Sequence, residues 1–165
     1  MFRGRHVCVR KKRGAKVGKT KRGKGTKLMV LVDGKGTPLG LHVDSASPSE
    51  VKLLSLTLDS VKIGRSGKKP ERLIGDRGYD SNLVRKELVA AGIEPIIPAR
   101  RNNRRATHQD GRCLRRYRRR WIIERTNAWL QNSRRLVVRY ERSDVIYTGL
   151  VHLACALIVL RRISG

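Results

Sequence analysis

The chain has 165 residues, 39% of them hydrophobic but with one Phe and two Trp, enough for one domain whose core rests on Leu, Val and Ile. Thirty-nine Lys plus Arg against 13 Asp plus Glu give a net charge of +26. Such a surplus opposes compaction and attracts polyanions, which disfavours an ordinary solvated surface and makes nucleic acid the expected partner.

Phe2 to Arg10 opens the chain with strand character in His6 to Arg10, and residues 10–27 then hold ten Lys or Arg and no acid. The glycines of that segment argue against a helix. Gly14 to Thr20 imitates a phosphate-binding GxxxxGK[ST] loop, but the spacing is one residue short and no strand–turn–helix context surrounds it. KLMVLVD (27–33) and TPLGLHVD (37–44) read as two strands, with Asp33-Gly34 as the hairpin signal. SASPSE then reads as a helix start, with Ser47 as cap, Pro48 at the first helical position and Glu50 closing a capping box before an apolar run.

Residues 64–70 are a polar loop before a short strand ending at Asp76. Residues 81–92 form a helix with Leu83, Val84, Leu88 and Val89 on its apolar side and Gly92 at its end, and 93–99 supply a strand whose Pro95 suits an edge. Residues 100–112 are a loop, 113–140 one long helix, and the last helix runs from about Asp144 to Leu160. Its most apolar stretch, Val151 to Leu160, is far shorter than a membrane span and ends in Arg161 and Arg162, so it is expected as a core helix and no membrane partner is expected. Cys8, Cys113 and Cys155 form no CxxC pair and read as buried thiols in a reducing cell. The order of strands and helices predicts a single α/β domain over residues 1–165.

Asp76 stands at the carboxyl end of a strand, where open α/β sheets place ligands. Tyr117, Arg120, Glu124, Asn127 and Gln131 recur at spacings of three and four and share a helix face. Two readings of Glu124 compete. It either neutralises Arg120 one turn back, worth about 0.2–0.5 kcal/mol, or joins Asp76 at one sheet edge as an oxygen ligand for divalent metal, Mg²⁺ or Mn²⁺.

The blocks GKTKRGKGTKLMVLVDGKGTPLGLHVDSASPSE, LIGDRGYDS, GIEPIIPAR and YRRRWIIERTNAWLQNSRR together resemble bacterial insertion-sequence transposases of the DDE class, over roughly residues 4–162. The resemblance implies a ribonuclease-H-like fold, a mixed central sheet with helices on both faces. It implies cleavage and transfer of DNA strands at transposon ends, with two Mg²⁺ or Mn²⁺ ions held by two aspartates and a glutamate. Carried onto this chain, Asp76 is the second aspartate and Glu124 the glutamate, both catalytic and metal-binding. Tyr117 and Arg120 hold DNA near the scissile phosphate. Gln131 stands where the pattern often has lysine, and Arg134 or Arg135 takes that contact. Lys19, Lys21, Arg22, Lys24, Lys27 and Arg77 complete the expected contacts to duplex DNA.

The first aspartate of the pattern is missing. Arg3 stands at its expected place, and no acid occurs before Asp33; neither Asp33 nor Asp44 matches the position. The expectation is therefore an N-terminally truncated or decayed, inactive catalytic domain without the family's end-recognition region. It would bind DNA in the bacterial cytoplasm at the nucleoid, and pair with a second copy or a full-length transposase. Two alternatives are a DNA-binding fragment without catalysis and a basic RNA-binding protein; the latter leaves Asp76 and Glu124 unexplained.

Overall fold

A computed structural model describes residues 2–9, 14–20, 23–61, 70–100 and 111–164. Strands β1 (Phe2–Val9), β2 (Gly18–Thr20), β3 (Gly23–Val32), β4 (Pro38–Ser45), β5 (Arg72–Ile74) and β6 (Glu94–Ile96) form one mixed sheet. The order is β2-β3-β1-β5-β6, with β4 also paired to β3. β3 runs antiparallel to β1, β2 and β4, whereas β5 is parallel to β1 and to β6.

The apolar run Leu28 to Val32 has no exposed residue, because β1 and β4 flank it and helices cover both faces. On one face Leu28, Val30, Val32, Ile74 and Ile96 pack with α4 (Trp121–Gln131) and α6 (Asp144–Ile163). On the other, Met29, Leu31 and Leu73 pack with α1 (Leu54–Asp59) and α2 (Asn82–Ala90). The expected hairpin forms between β3 and β4. Asp33 Oδ1 closes it by accepting from the N–H groups of Lys35 and Thr37, both at 2.8 Å. Partial burial opposes ionisation of this carboxyl, but those two donors, the Thr37 hydroxyl and Arg162 outweigh it and hold the acid below its ordinary range.

Gly92 ends α2 as expected, with φ of +76°. Ile93 N–H donates to Leu88 O at 2.8 Å and Gly92 N–H to Val89 O at 2.9 Å, the paired bonds of a Schellman motif. A Cβ there meets nothing within 4 Å, so only backbone strain opposes a side chain. Gly92→Ala is expected to cost about 1 kcal/mol, read as a lower urea midpoint at constant m. β6 lies at the sheet edge, which accommodates Pro95.

Several sequence expectations are corrected. The helix after SASPSE starts at Leu54, and no side chain caps it. Of the groups expected to cap, the Glu50 carboxylate is used elsewhere, accepting from Tyr79 Oη at 2.7 Å. On α2 only Val84 and Leu88 are buried, while Leu83 and Val89 face solvent. Residues 113–140 are not one helix. α3 (Gly111–Tyr117) passes through a 3-10 turn, Arg118–Arg120, into α4, and a bend at Asn132 and Ser133 precedes α5 (Arg134–Val137). Arg119 bends toward the hairpin, donating to Gly34 O at 2.9 Å, and Thr126 Oγ1 donates to Gly36 O at 2.8 Å, so α4 is docked on the β3–β4 turn.

The last helix is longer than its apolar core. α6 has 20 residues and, by length and composition, could cross a membrane. One side of it, through Tyr147, Val151, Ala154, Cys155 and Ile158, belongs to the sheet core. Cys8 and Cys155 are buried thiols, Cys8 Sγ donates to Val137 O at 3.2 Å, and burial raises the Cys155 pKa to about 11. The side chain of Cys113 and the loops at 64–69 and 101–110 lie outside the described residues.

Candidate active site and nucleic-acid interface

The DRGYDS block is knit to itself and to its neighbours. Asp76 is extended, at φ −77° and ψ 174°, and its Oδ1 accepts from Gly78 N–H at 2.7 Å, capping the 3-10 turn Arg77–Tyr79. A Cβ at Gly78 would lie 2.7 Å from that same Oδ1, which explains the glycine: the carboxylate folds back over it. Tyr79 is buried on Glu50. Asp80, absent from the residues singled out in the sequence, accepts from Arg85 Nη2 at 3.0 Å and from Arg100 N–H at 2.8 Å. Its role is to hold the turn, and the spacing between the two aspartates carries no sign of that difference.

The Tyr117–Arg120–Glu124 spacing does produce one cluster. Arg120 Nη1 donates to Tyr117 Oη at 3.0 Å, its guanidinium lies 5.5 Å from the Tyr117 ring centre, and its Nη2 is 2.8 Å from Glu124 Oε1. The simple ion-pair reading of Glu124 is thus realised. α4 also lies over β1, the strand beside β5, on the face of the sheet that holds Ile74. Glu124 and Asp76 therefore belong to elements packed on adjoining strands.

Register decides where a third acid would have to stand. Phe2 pairs with Ile74, and Gly75 N–H continues the β5 ladder by donating to Ile96 O at 3.2 Å. Asp76, two residues past Ile74, is thus level with position 4 of β1. Position 4 pairs with Val30 of the α4-facing core, whereas position 3 pairs with Leu31 of the opposite core. Extended from the Phe2–Ile74 pair, the backbone register sets Gly4 level with Asp76, one residue past the Arg3 that the family resemblance gives.

The other acids are too far across the sheet. Asp44 lies on β4, separated from β5 by β3 and β1, three strand spacings or about 14 Å. Its Oδ1 accepts from Ser45 N–H at 2.6 Å. Asp33 is held in its own turn beyond β3. Among the described residues no three His, Cys, Asp or Glu side chains form a group able to hold a metal ion.

The basic surface follows the sequence in part. Lys19 of β2 and Lys24 of β3 are exposed and directly opposite one another in the antiparallel register. Arg77 and Arg134 are exposed, and Arg135 is held at 2.8 Å by Glu141 Oε1. Lys27 departs from expectation: it is 4% exposed with its ammonium on the Pro48 carbonyl, so it leaves the phosphate-contacting set. Lys21 and Arg22 lie outside the described residues. A feature not anticipated is Trp121, 53% exposed, with the Arg125 guanidinium 4.8 Å from its ring and also 4.8 Å from that of Trp129.

Residues 2–159 match the transposase DDE domain family. The match covers most of the chain, and the chain belongs to that family. It is 36% identical over 139 residues to a candidate transposase for insertion sequence element IS402 of Burkholderia cepacia, covering 81% of this chain and 62% of that protein. It is also 30% identical over 139 residues to a candidate transposase for insertion sequence element IS6501 of Brucella ovis, covering 82% of this chain and 98% of that one.

Proposed function

We propose that this chain is a single ribonuclease-H-like DDE domain that binds duplex DNA through its phosphates without cutting it. Family membership and the placement of Asp76 and Glu124 on elements packed over adjoining strands support the fold and the substrate class. The observation that carries the binding half is the Lys19–Lys24 pair. Like charges directly opposite on two strands repel and weaken the sheet. A ribbon that carries them on a +26 chain is suited to a polyanion, whose phosphates turn that repulsion into attraction.

The other half rests on the acids. A pair of Mg²⁺ or Mn²⁺ ions on a phosphodiester needs oxygen ligands from several sides. β1 reads FRGRHVCV and offers no carboxylate beside Asp76, and Glu124 is engaged by Arg120. These residues do not fit a two-ion centre, so no cleavage step is assigned to them. The basic RNA-binding alternative gains nothing from the fold.

Binding measured by fluorescence across a salt series should give a log–log slope of magnitude above about 4, from several neutralised phosphates at about 0.9 each. Lys19→Gln with Lys24→Gln should lower that magnitude by about 1.8. The same double variant should unfold at slightly higher urea, because a cross-strand repulsion has gone. A slope near zero in the parent chain would refute the electrostatic reading. Sequence preference should be weak, since phosphate contacts position a protein without reading bases.

A further inference from the structure

Tyr140 is 74% exposed, more than any other aromatic side chain among the described residues. A single exposed ring on a loose loop needs no explanation, but this one stands on a fixed backbone. Val138 N–H donates to Arg134 O at 3.1 Å and Tyr140 N–H to Glu141 Oε2 at 3.2 Å. The buried Arg139 guanidinium donates to the carbonyls of Glu141 and Arg142 at 3.0 and 3.3 Å. Glu141 is itself held by Arg135 Nη1 at 2.8 Å. The chain on both sides of the ring is thus pinned, and the ring is left to solvent.

Its position is an independent sign. Arg139 Nη1 anchors the segment on Thr26 Oγ1 at 2.7 Å, at the base of the β2–β3 ribbon. Side chains along β3 alternate between faces, so Lys24, two residues from Thr26, points to the same face. Lys19, directly opposite Lys24, does so too. The exposed lysine pair therefore lies about 7 Å along β3 from the residue that anchors the Tyr140 segment. Arg134, Arg135 and Arg142 of that segment are exposed as well.

We propose that Tyr140 is a stacking site for one unpaired nucleobase, beside a phosphate held by Lys19 and Lys24, so that the chain prefers duplex DNA with a single-stranded tail. The proposal rests on the DNA reading above and narrows its substrate. An aromatic face among cations suits a ligand with an anionic backbone and flat bases. Inside a continuous duplex both faces of each base are covered by its neighbours, and a ring arriving from outside finds no face to meet. In a single-stranded tail those faces are open. One tyrosine ring covers one base and not the breadth of a base pair, which favours a tail over a blunt end. A protein partner fits the surroundings less well. Only Val137 and Val138, at 39% and 36% exposure, add apolar surface, and the exposed charged residues of 134–142 are all arginine. The centre of a protein interface is depleted of charge. Stacking accepts every base, so the site adds a preference for DNA form and none for sequence.

Fluorescence anisotropy should be run on the whole chain with three DNAs of one duplex sequence: blunt, with a short thymidine tail, and with an abasic tail of equal length. The thymidine-tailed duplex should bind about tenfold more tightly than the abasic-tailed one, which carries the same phosphates. Tyr140→Ala should erase that difference while the salt slope on blunt duplex stays as in the parent. Tyr140→Phe should keep it, because the ring face and not the hydroxyl makes the contact. A 2-aminopurine placed in the tail should lose fluorescence on binding the parent and retain it with Tyr140→Ala. The urea midpoint of Tyr140→Ala should match the parent, since the ring lies in solvent. Equal affinity for thymidine and abasic tails overturns this proposal and leaves the phosphate reading standing, whereas a parent chain that binds none of the three DNAs overturns both. A tail preference that survives Tyr140→Ala assigns the ring to another contact, a protein partner included, and overturns the proposal as well.

Discussion

Replacing Arg139 with alanine should cost about 3–4 kcal/mol of folding free energy, the largest loss expected from any single side chain here. Arg139 is 2% exposed, yet its charge has partners on every side. Nη1 donates to Thr26 Oγ1 at 2.7 Å, Nε to Glu141 O at 3.0 Å and Nη2 to Arg142 O at 3.3 Å, and the guanidinium lies 5.0 Å from the Tyr147 ring. Thr26 in turn donates to Lys16 O at 2.8 Å. One guanidinium therefore ties the base of the β2–β3 ribbon to the segment between α5 and α6. Truncation leaves buried acceptors without donors and a space beneath Tyr147. Lysine restores the charge without the planar fork, so Arg139→Lys should recover less than half of the loss. Domains of this size hold about 5–15 kcal/mol in total, and the alanine variant should show a clearly lower urea midpoint. A midpoint unchanged from the parent would remove Arg139 from the core account.

The second large effect is a gain. Gly4→Asp should create divalent-metal binding that Arg3→Asp does not, because position 4 is level with Asp76 on the α4 side of the sheet and position 3 alternates to the other side. The new carboxylate would face Asp76 across one strand spacing of about 4.8 Å, close enough for a shared hard cation that prefers carboxylate oxygens. Mn²⁺ titration followed by electron paramagnetic resonance should show binding in Gly4→Asp and its loss when Asp76→Ala is added. Equal binding in Arg3→Asp and Gly4→Asp would mean that the register argument is wrong.

The one-residue offset between Arg3 and Gly4 marks where sequence reading stops. The Leu28–Val32 run, the Asp33-Gly34 turn, Gly92 and the apolar face of α6 are local signals, and each became the element expected. The Tyr117, Arg120 and Glu124 spacing was legible for the same reason, since three- and four-residue steps meet on any helix turn. The place beside Asp76 is different. It depends on parallel pairing of β1 with β5 across about 70 intervening residues, and a slip of one residue moves a side chain to the other face. The capping signature at Ser47 to Glu50 failed where a distant partner, Tyr79, claimed the Glu50 carboxylate. The break at Arg118–Arg120 was hidden because helical periodicity persists through a short 3-10 turn. Lys27 looked like its basic neighbours, and only its position on the inner part of β3 buried it.

The central claim is that the chain holds duplex DNA without cutting it, and one experiment addresses both halves. An end-labelled duplex carrying the element's terminal sequence is incubated with the unmodified chain in Mg²⁺ or Mn²⁺, then divided between a native and a denaturing gel. The expected result is a salt-sensitive retarded complex on the native gel and full-length strands on the denaturing gel. Metal-dependent nicks that disappear in Asp76→Ala or Glu124→Ala would contradict the account, as would the absence of any complex at low salt.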